Sequence, residues 1–276
     1  MKDKIKTSGT YFLLILLVVV VDLPIINMLG VSLKSAAEIM TNNSLFSKRP
    51  TLENYIGVFE KSNILLYFKN SFVTAAAVTI LTAIVAALAG YAISRYRKKY
   101  KMLDRYSNVL LVMQMFPTIL MLIPLFVIFK TIGLSNSKWS IILLYMTFSL
   151  PFCTWMMSGF FDGIPIELDE AGRVDGCSVF QTFRKLILPV SGPGLASVSI
   201  FTFIYCWNEY MLASVFLKSE QLKTLPVGIQ IFTQQFSKEW GLLMAASVIT
   251  VIPVTLFLIF MQKYLVAGMT AGAVKG

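Results

Sequence analysis

The chain has 276 residues, of which 57% are hydrophobic and only 14% are charged, and its mean hydropathy is +0.74. A soluble globule of this size needs more polar surface, so a soluble single-domain protein is excluded and lipid must cover much of the chain. The net charge of +10 is not arranged as a basic patch interleaved with aromatic residues, so we expect no nucleic-acid partner. Because only helices and closed barrels span lipid, the long apolar segments predict an all-α polytopic membrane protein.

Six apolar segments of about 20 residues or more predict six transmembrane helices. They cover residues 11–33, 71–93, 106–129, 139–160, 190–217 and 242–264. The first follows a lysine-rich start, as in a signal peptide, but it lacks a small-x-small cleavage site, so an uncleaved span is favoured. Prolines inside the spans predict hinges or, for any single proline, a static kink. These prolines are Pro117, Pro124, Pro151 and Pro253.

Cations concentrate in the short segment 94–105, which holds six Lys or Arg residues and one acid. The longer segment 34–69 holds five cations and three acids. Short basic loops stay in the cytoplasm. Both termini and the polar insert at 161–189 are therefore predicted to be cytoplasmic.

The chain contains no histidine and no GxxxxGK[ST] sequence. The first absence removes His-dependent nucleophile systems and the commonest zinc ligand, and the second removes a P-loop. The three cysteines have no CxxC spacing. We therefore predict no catalytic residue, no metal and no cofactor bound by this chain. A membrane-embedded enzyme that uses Asp162, Asp169 or Asp175 is the alternative from a different class.

The insert at 161–189 has the signals of two short helices joined by a glycine corner. Pro165 suits the first position of a helix with an acidic first turn, and Gly176 suits its left-handed end. Asp169 and Arg173 are predicted to form an i,i+4 ion pair.

The second short helix is predicted to begin with a capping box of Ser178 and Gln181 and to end at Pro189. The first helix is predicted to be amphipathic and to need a covering surface. That surface is either the membrane domain and lipid headgroups or a partner protein. The residues predicted to share the apolar face are Ile164, Leu168, Ala171 and Val174.

The spacing in the insert resembles the cytoplasmic coupling loop of ABC importer permeases, which reads E-A-A, three residues, Gly, nine residues, then I-x-L-P. Here Glu170-Ala171-Gly172, Gly176 and Leu186-Ile187-Leu188-Pro189 have that spacing, with Gly172 in place of Ala and Leu186 in place of Ile. The blocks FPTILMLIPLFVIFKTIGL, FTFIYCWNEYMLA and LVAGMTAGAVKG resemble the carbohydrate subfamily, and most of all its maltose-type G subunit.

The resemblance implies a type I ABC importer permease fold with a cytoplasmic coupling helix. It divides the chain into an N-terminal peripheral helix and outer loop (1–68), a core domain (69–264) that contains the coupling loop (161–189), and a cytoplasmic tail (265–276). The implied ATPase-coupling residues are Glu167, Glu170, Ala171, Gly172, Asp175, Gly176, Leu188 and Pro189.

The resemblance also implies partners and a cargo. The expected partners are a second homologous permease, an ATPase dimer that binds ATP and Mg, an extracytoplasmic solute-binding protein and the lipid of a bacterial-type inner membrane. The expected cargo is a carbohydrate, in particular an oligosaccharide, and the alternative is a glycerol phosphate ester.

A polar cluster in the fifth span carries a second candidate site. A carboxylate at membrane depth costs about 2.5–3.5 kcal/mol on insertion scales and marks a functional site by default. Trp207, Asn208, Glu209 and Tyr210 are predicted to line the substrate path, because aromatic faces stack on sugar rings and polar groups bind hydroxyls. An interhelical clasp without substrate contact is an equal alternative.

The small and polar C-terminal residues have two interpretations. By composition they predict a frayed tail. By resemblance, Ala271, Gly272 and Lys275 contact the interface of the ATPase subunits.

Overall fold

The computed structural model describes residues 2–234 and 237–273. From the N-terminus, the helices as far as the insert are α1 (Lys2–Ser32), α2 (Ala36–Thr41), α3 (Glu53–Lys61), α4 (Ile64–Tyr96), α5 (Lys101–Gln114), α6 (Thr118–Thr131), α7 (Lys138–Asp162) and α8 (Glu167–Val174). They are followed by α9 (Val179–Thr182), a π-helical turn (Phe183–Ile187), α10 (Leu188–Val190), α11 (Gly192–Asn208) and α12 (Met211–Phe216). The remainder comprises a 3-10 turn (Glu220–Leu222), α13 (Leu225–Gly228), a 3-10 turn (Ile229–Phe232), the antiparallel strands β1 (Thr233–Gln234) and β2 (Ser237–Lys238), and α14 (Trp240–Ala273).

Four predicted spans are single helices that are long and apolar enough to cross a membrane. Among the described residues these are Leu13–Ser32, Ile64–Tyr96, Lys138–Asp162 and Trp240–Lys263. The third and fifth predicted spans involve pairs of helices with a sharp bend between them, and the chain has up to six spans if each pair counts as one.

The third predicted span, 106–129, is not one straight helix. α5 and α6 are bent by 98° relative to each other. Pro117 stands at the start of α6 with extended backbone (φ −62°, ψ 121°), because proline cannot donate a helical hydrogen bond and disfavours helix in the residue before it. The other three prolines, Pro124, Pro151 and Pro253, lie inside continuous helices.

The fifth predicted span, 190–217, is interrupted at its polar cluster. α11 ends at Asn208, the backbone of Glu209 is extended (φ −71°, ψ 124°), and α12 begins two residues later. At its other end, α11 is bent by 77° from the helical segment Val179–Val190. The carboxylate therefore lies at a helix break and not in the middle of a continuous helix.

Local sequence sets several helix ends. Ser35 and Ser137 are the N-caps of α2 and α7, where each side-chain oxygen accepts a backbone N–H of the first turn. Gly133, with φ +73°, ends α6 in the left-handed region, and the N–H of Leu134 donates to the carbonyl of Phe129 at 2.8 Å.

Asn136 caps the end of α12 from the turn that precedes α7. Its φ is +56°, and its N–H donates to the carbonyl of Phe216 at 3.1 Å. Its side-chain oxygen accepts the backbone N–H groups of Lys218 and Ser219 at 2.9 and 3.0 Å. The Asn136 side chain thus satisfies two backbone N–H groups in the segment that follows α12.

The chain packs as two compact units, of which the first comprises Met1–Leu65 and Gly228–Pro253. In this unit the buried Lys34 donates from Nζ to the carbonyl of Asn42 at 2.9 Å. The carboxylate of Glu38 accepts hydrogen bonds from the Ser47 hydroxyl at 2.5 Å, the Lys48 N–H at 2.7 Å and the Asn42 amide at 2.9 Å. These bonds, with that of Ser47 the largest cause, lower the pKa of Glu38 to about 2.

The second unit comprises Leu66–Val227 and Val254–Gly276. Its core joins α4, α7, the π-helical turn and α11, and it is formed by Ala86, Ala87, Tyr91, Cys153, Met157, Phe161, Phe183, Ile187 and Val198. The predicted division at residues 68 and 264 stays a prediction.

Candidate functional site

The helix–glycine–helix arrangement predicted for the coupling loop is present. Gly176 has φ +78°, and the N–H of Cys177 donates to the carbonyl of Gly172 at 2.9 Å, which closes the end of α8. At the start of α9, the Gln181 N–H donates to the Ser178 hydroxyl, and the Gln181 side chain accepts the Ser178 N–H at 2.8 Å. Both the corner and the capping box are therefore confirmed.

The second helix does not stop at Pro189 as predicted. It widens into the π-helical turn Phe183–Ile187 and continues as α10 to Val190. Proline lacks an N–H and its ring crowds the carbonyl of an ordinary α-turn, and a π-turn shifts the hydrogen bonds to the i−5 carbonyl. The wider turn therefore accommodates Pro189 inside the helical segment.

Asp169 pairs with a distant arginine and not with Arg173. Its side chain is buried, and Arg95 of α4 donates from Nε to its Oδ2 at 2.8 Å. The hydroxyl of Tyr91 donates to Oδ1 at 2.5 Å. Arg173 is exposed. A buried carboxylate needs buried partners, and the neighbour at i+4 points to solvent.

Arg95 and Tyr91 were not among the residues expected to contribute to this site. Arg95 counted only as one of the cations that set topology. The available signal was their spacing, since residues four apart at the end of a helix share a face and can approach the same group.

The apolar face of α8 is rotated from the predicted one. Leu168 packs with Ile164 against the core of the second unit, but Ala171 is exposed and Val174 is 87% exposed. A Cβ at Gly172 would lie 2.8 Å from the hydroxyl of Thr182, so this buried glycine sets the closest approach of α8 to α9. The inward face therefore contains Asp169 and Gly172, not Ala171 and Val174.

The outward surface of the coupling loop combines apolar and acidic side chains. Its exposed apolar residues are Ile166 (54%), Val174 (87%) and Val179 (46%). Phe180 is 61% exposed but lines a groove beside α4 and α11. Of the predicted coupling residues, Glu167, Glu170, Ala171, Asp175, Gly176 and Pro189 are exposed, Leu188 is half-buried and Gly172 is buried. An apolar patch of this kind, rimmed by polar groups, marks an interaction surface.

The carboxylate of Glu209 is bound within the chain. Its Oε1 accepts the backbone N–H of Leu212 at 2.6 Å, and its Oε2 accepts the N–H of Ala213 at 3.1 Å. The hydroxyl of Tyr145 donates to Oε2 at 2.7 Å. Glu209 thus satisfies the first donors of α12 and joins that helix to α7, which is the geometry of the clasp.

The other three residues of the cluster have different surroundings. Trp207 is fully buried, stacked on Phe203 and edge-on to Phe68, each with ring centroids 5.6 Å apart. Asn208 and Tyr210 are exposed. Glu209 is half-buried, and a role in the substrate path stays a prediction for all four residues.

The C-terminal residues of the predicted ATPase contact are only partly described. The backbone of Ala271 and Gly272 belongs to α14. Lys275 lies outside the described residues. The contact therefore stays a prediction.

The chain has up to six spans, two of which are bent. A loop of two short helices connects the fourth span to the fifth. These features define a multi-pass permease with the fold of a type I ABC importer. A chain in the crystal structure of a bacterial ABC transporter involved in the import of the acidic polysaccharide alginate has the same fold, with a TM-score of 0.78 at 22% identity over 96% of this chain and 98% of that one. The family model described as "binding-protein-dependent transport system inner membrane component" matches residues 80–271. The chain belongs to this family.

Relatives in the family are similar over nearly their whole length. The chain is 37% identical to the sulfoquinovosyl glycerol transport system permease protein SmoH of Agrobacterium fabrum, over 92% of this chain and 88% of the relative. It is 36% identical to the trehalose/maltose transport system permease protein MalG of Thermococcus litoralis, over 95% and 94%.

Proposed function

We propose that this chain is one of two homologous permease subunits that form the translocation path of an ABC importer for a carbohydrate. The observation that carries the proposal is the coupling loop, whose inner side is fixed by a buried ion pair and whose outer side presents exposed apolar and acidic groups. Such a surface fits a partner protein better than it fits lipid alone, because acidic side chains flank the apolar ones.

The proposed partner at the coupling loop is an ATPase dimer that binds ATP and Mg, while this chain holds no cofactor and performs no bond chemistry. In this mechanism ATP closes the dimer, the coupling loop follows that closure, and the two permeases turn from inward-facing to outward-facing. Hydrolysis resets the cycle. A solute-binding protein delivers the cargo on the opposite side of an inner membrane, and both termini of this chain lie in the cytoplasm.

The proposed cargo is a carbohydrate, in particular an oligosaccharide. The two relatives are named for sulfoquinovosyl glycerol and for trehalose and maltose, all of which are glycosides. The alternative of a glycerol phosphate ester is not favoured, because neither name points to a phosphate ester. Asn208 and Tyr210 are the exposed groups of the proposed path, while Trp207 and Glu209 support them from inside.

The cargo is tested by ATP hydrolysis of the complex purified from its native membrane and reconstituted with its binding protein. The panel contains monosaccharides, disaccharides, oligosaccharides, a sulfonated glycosyl glycerol and glycerol phosphates. Stimulation by a glycoside is expected. Stimulation by glycerol phosphates alone would move the chain to the alternative, and a complex without an ATPase would refute the proposal.

The docking surface is tested by Glu170→Lys, which reverses an exposed charge in the first turn of α8. We expect normal membrane insertion but loss of the ATPase subunits during purification. Glu53→Lys is the control, because Glu53 is an exposed acid in the first turn of α3, outside the coupling loop, and its substitution reverses the same charge. Equal retention of ATPase subunits by both variants would contradict the assignment.

A further inference from the structure

Arg95 bonds to three consecutive parts of the chain through one guanidinium group. Its Nε donates to Asp169 Oδ2 in α8 at 2.8 Å, and its Nη1 donates to the carbonyl of Phe161 in α7 at 2.8 Å. Its Nη2 donates to the carbonyl of Ile164, in the turn between those helices, at 3.2 Å. The side chain of Arg95 is 9% exposed. The planar fork of arginine is suited to such a fixed set of acceptors, unlike the point charge of lysine.

Tyr91, one turn earlier in α4, completes the arrangement. Its hydroxyl donates to the second oxygen of Asp169, and its ring lies 4.9 Å from that of Phe183 and 5.8 Å from that of Phe161, measured between centroids. Phe183 belongs to the second helix of the coupling loop. We call Tyr91, Arg95 and Asp169 the clamp, since they join α4 to both halves of the loop and to the end of α7.

α4 and α7 are themselves in close contact behind the clamp. A Cβ at Gly90 would lie 2.8 Å from the Cβ of Met157 and 2.8 Å from the backbone nitrogen of Ser158. Backbones this close leave no room for one helix to slide past the other without a clash. A force applied to α8 through the clamp therefore reaches two membrane helices together.

The remaining contacts of α8 with the spans are apolar. Within the described part of the chain, Asp169 is the α8 side chain that forms hydrogen bonds with a membrane-spanning helix. Leu168 packs on the core by apolar contact, which has no preferred direction. A buried ion pair gives little net stability compared with a well-packed apolar substitute, but its geometry is specific. The clamp therefore controls the orientation of α8 relative to α4 and α7.

We propose that Arg95 is a positioning residue for coupling: it makes α8, α4 and the end of α7 move as one body, so that closure of an ATPase dimer is transmitted to the spans. The proposal rests on the proposed function of the coupling loop and adds the element that conveys its movement. Without the clamp, α8 stays docked but rocks on its apolar contacts.

Arg95→Lys keeps the charge and removes the fork. We expect unchanged assembly with the ATPase subunits and unchanged basal hydrolysis, but at least about a fivefold drop in sugar imported per ATP hydrolysed, the lower end of typical coupling between sites. Arg97→Lys is the matched control, because Arg97 forms a more exposed pair with Asp162 at 2.8 Å. An unchanged ratio for Arg95→Lys, or an equal drop for Arg97→Lys, would overturn the proposal.

Two further measurements keep the test independent of folding and of cargo. Tyr91→Phe removes one hydroxyl and keeps the packing, so a smaller drop in the same ratio is expected even where Arg95→Lys does not assemble. Spin labels at Arg173 and Leu88, in a chain whose Cys177 is replaced by serine, report the distance from α8 to α4. Both labelled residues are exposed. Arg95→Lys should broaden that distance distribution and Arg97→Lys should not, whether or not a sugar stimulates the complex. An unchanged width in Arg95→Lys would refute the clamp alone, whereas a broadened width without sugar-stimulated hydrolysis in the wild-type complex would refute the proposed function alone.

Discussion

Glu209→Gln separates the two interpretations of the intramembrane polar cluster. Glu209 accepts three hydrogen bonds through two oxygens, whereas glutamine has one oxygen and an amide nitrogen that only donates. Whichever way the amide is turned, the N–H of either Leu212 or Ala213 loses its acceptor. Both residues are fully buried, so the orphaned donor costs about 1–3 kcal/mol.

The expected loss can be measured as a thermal midpoint of the purified complex in nanodiscs. At about 2–4 °C for each kcal/mol, the midpoint should fall by about 2–12 °C. Tyr145→Phe is the matched control, because it removes one donor and leaves both backbone N–H groups bonded to Glu209. Its expected cost is about 0.5–1.5 kcal/mol, the net value of one hydrogen bond.

Transport decides what the loss of stability means. If Glu209 is a clasp, uptake by Glu209→Gln should fall by the same factor for every sugar that the wild type imports. Unchanged stability together with an altered order of preference among sugars would refute the clasp and support a direct contact with substrate.

Three other outcomes follow from local geometry. Gly90→Ala should lower stability by about 1–3 kcal/mol through overpacking against the backbone of α7. Gly159→Ala should instead gain up to about 1 kcal/mol in helix propensity, because no atom lies within 4 Å of its added Cβ. Chemical denaturation of the two variants should therefore show changes in the free energy of unfolding with opposite signs. Glu38→Gln should speed amide exchange in residues 36–48, because hydrogen bonds, chiefly that from Ser47, hold the pKa of Glu38 at about 2. That contribution is complete above the ordinary pKa of 4.5 and is lost as pH falls through about 2, so exchange rates that differ equally at all pH values would contradict it. Asn136→Ala should lower the thermal midpoint more than Asn136→Gly. Both variants lose the side-chain hydrogen bonds, but alanine adds about 1–2 kcal/mol of strain in the left-handed backbone conformation. A larger loss for Asn136→Gly would exclude a role for the left-handed backbone at this position.

The sequence predicted features that depend on neighbouring residues and missed those that depend on distant ones. Gly176 and the capping box at Ser178 are local, so the corner and the start of the second helix could be placed correctly. Asp169 has its partner 74 positions away in α4, and the spacing within the insert cannot show that. The apolar face predicted from spacing alone was also partly wrong, because it included Val174, which is 87% exposed.

The same distinction applies to the spans. Hydropathy located six apolar segments but could not tell a straight helix from a bent pair, because a break changes backbone geometry without changing apolar content. Pro117 marked one break and Pro124 marked none, although both are prolines in one apolar stretch. At Glu209 the break depends on hydrogen bonds from the first N–H groups of α12 to its oxygens, which hydropathy does not show.

The π-helical turn Phe183–Ile187 contains one residue more than an ordinary α-helical turn. An α-helix advances by 3.6 residues per turn, so each residue corresponds to about 100° of rotation. A π-turn absorbs its extra residue locally, so deleting one residue of this turn would restore an ordinary α-turn and leave the facing of the flanking segments nearly unchanged. The same deletion in an ordinary α-turn would rotate one flanking segment by that angle. The π-helical turn is therefore a point in the coupling loop at which the chain can gain or lose one residue without turning the segments on its two sides relative to each other.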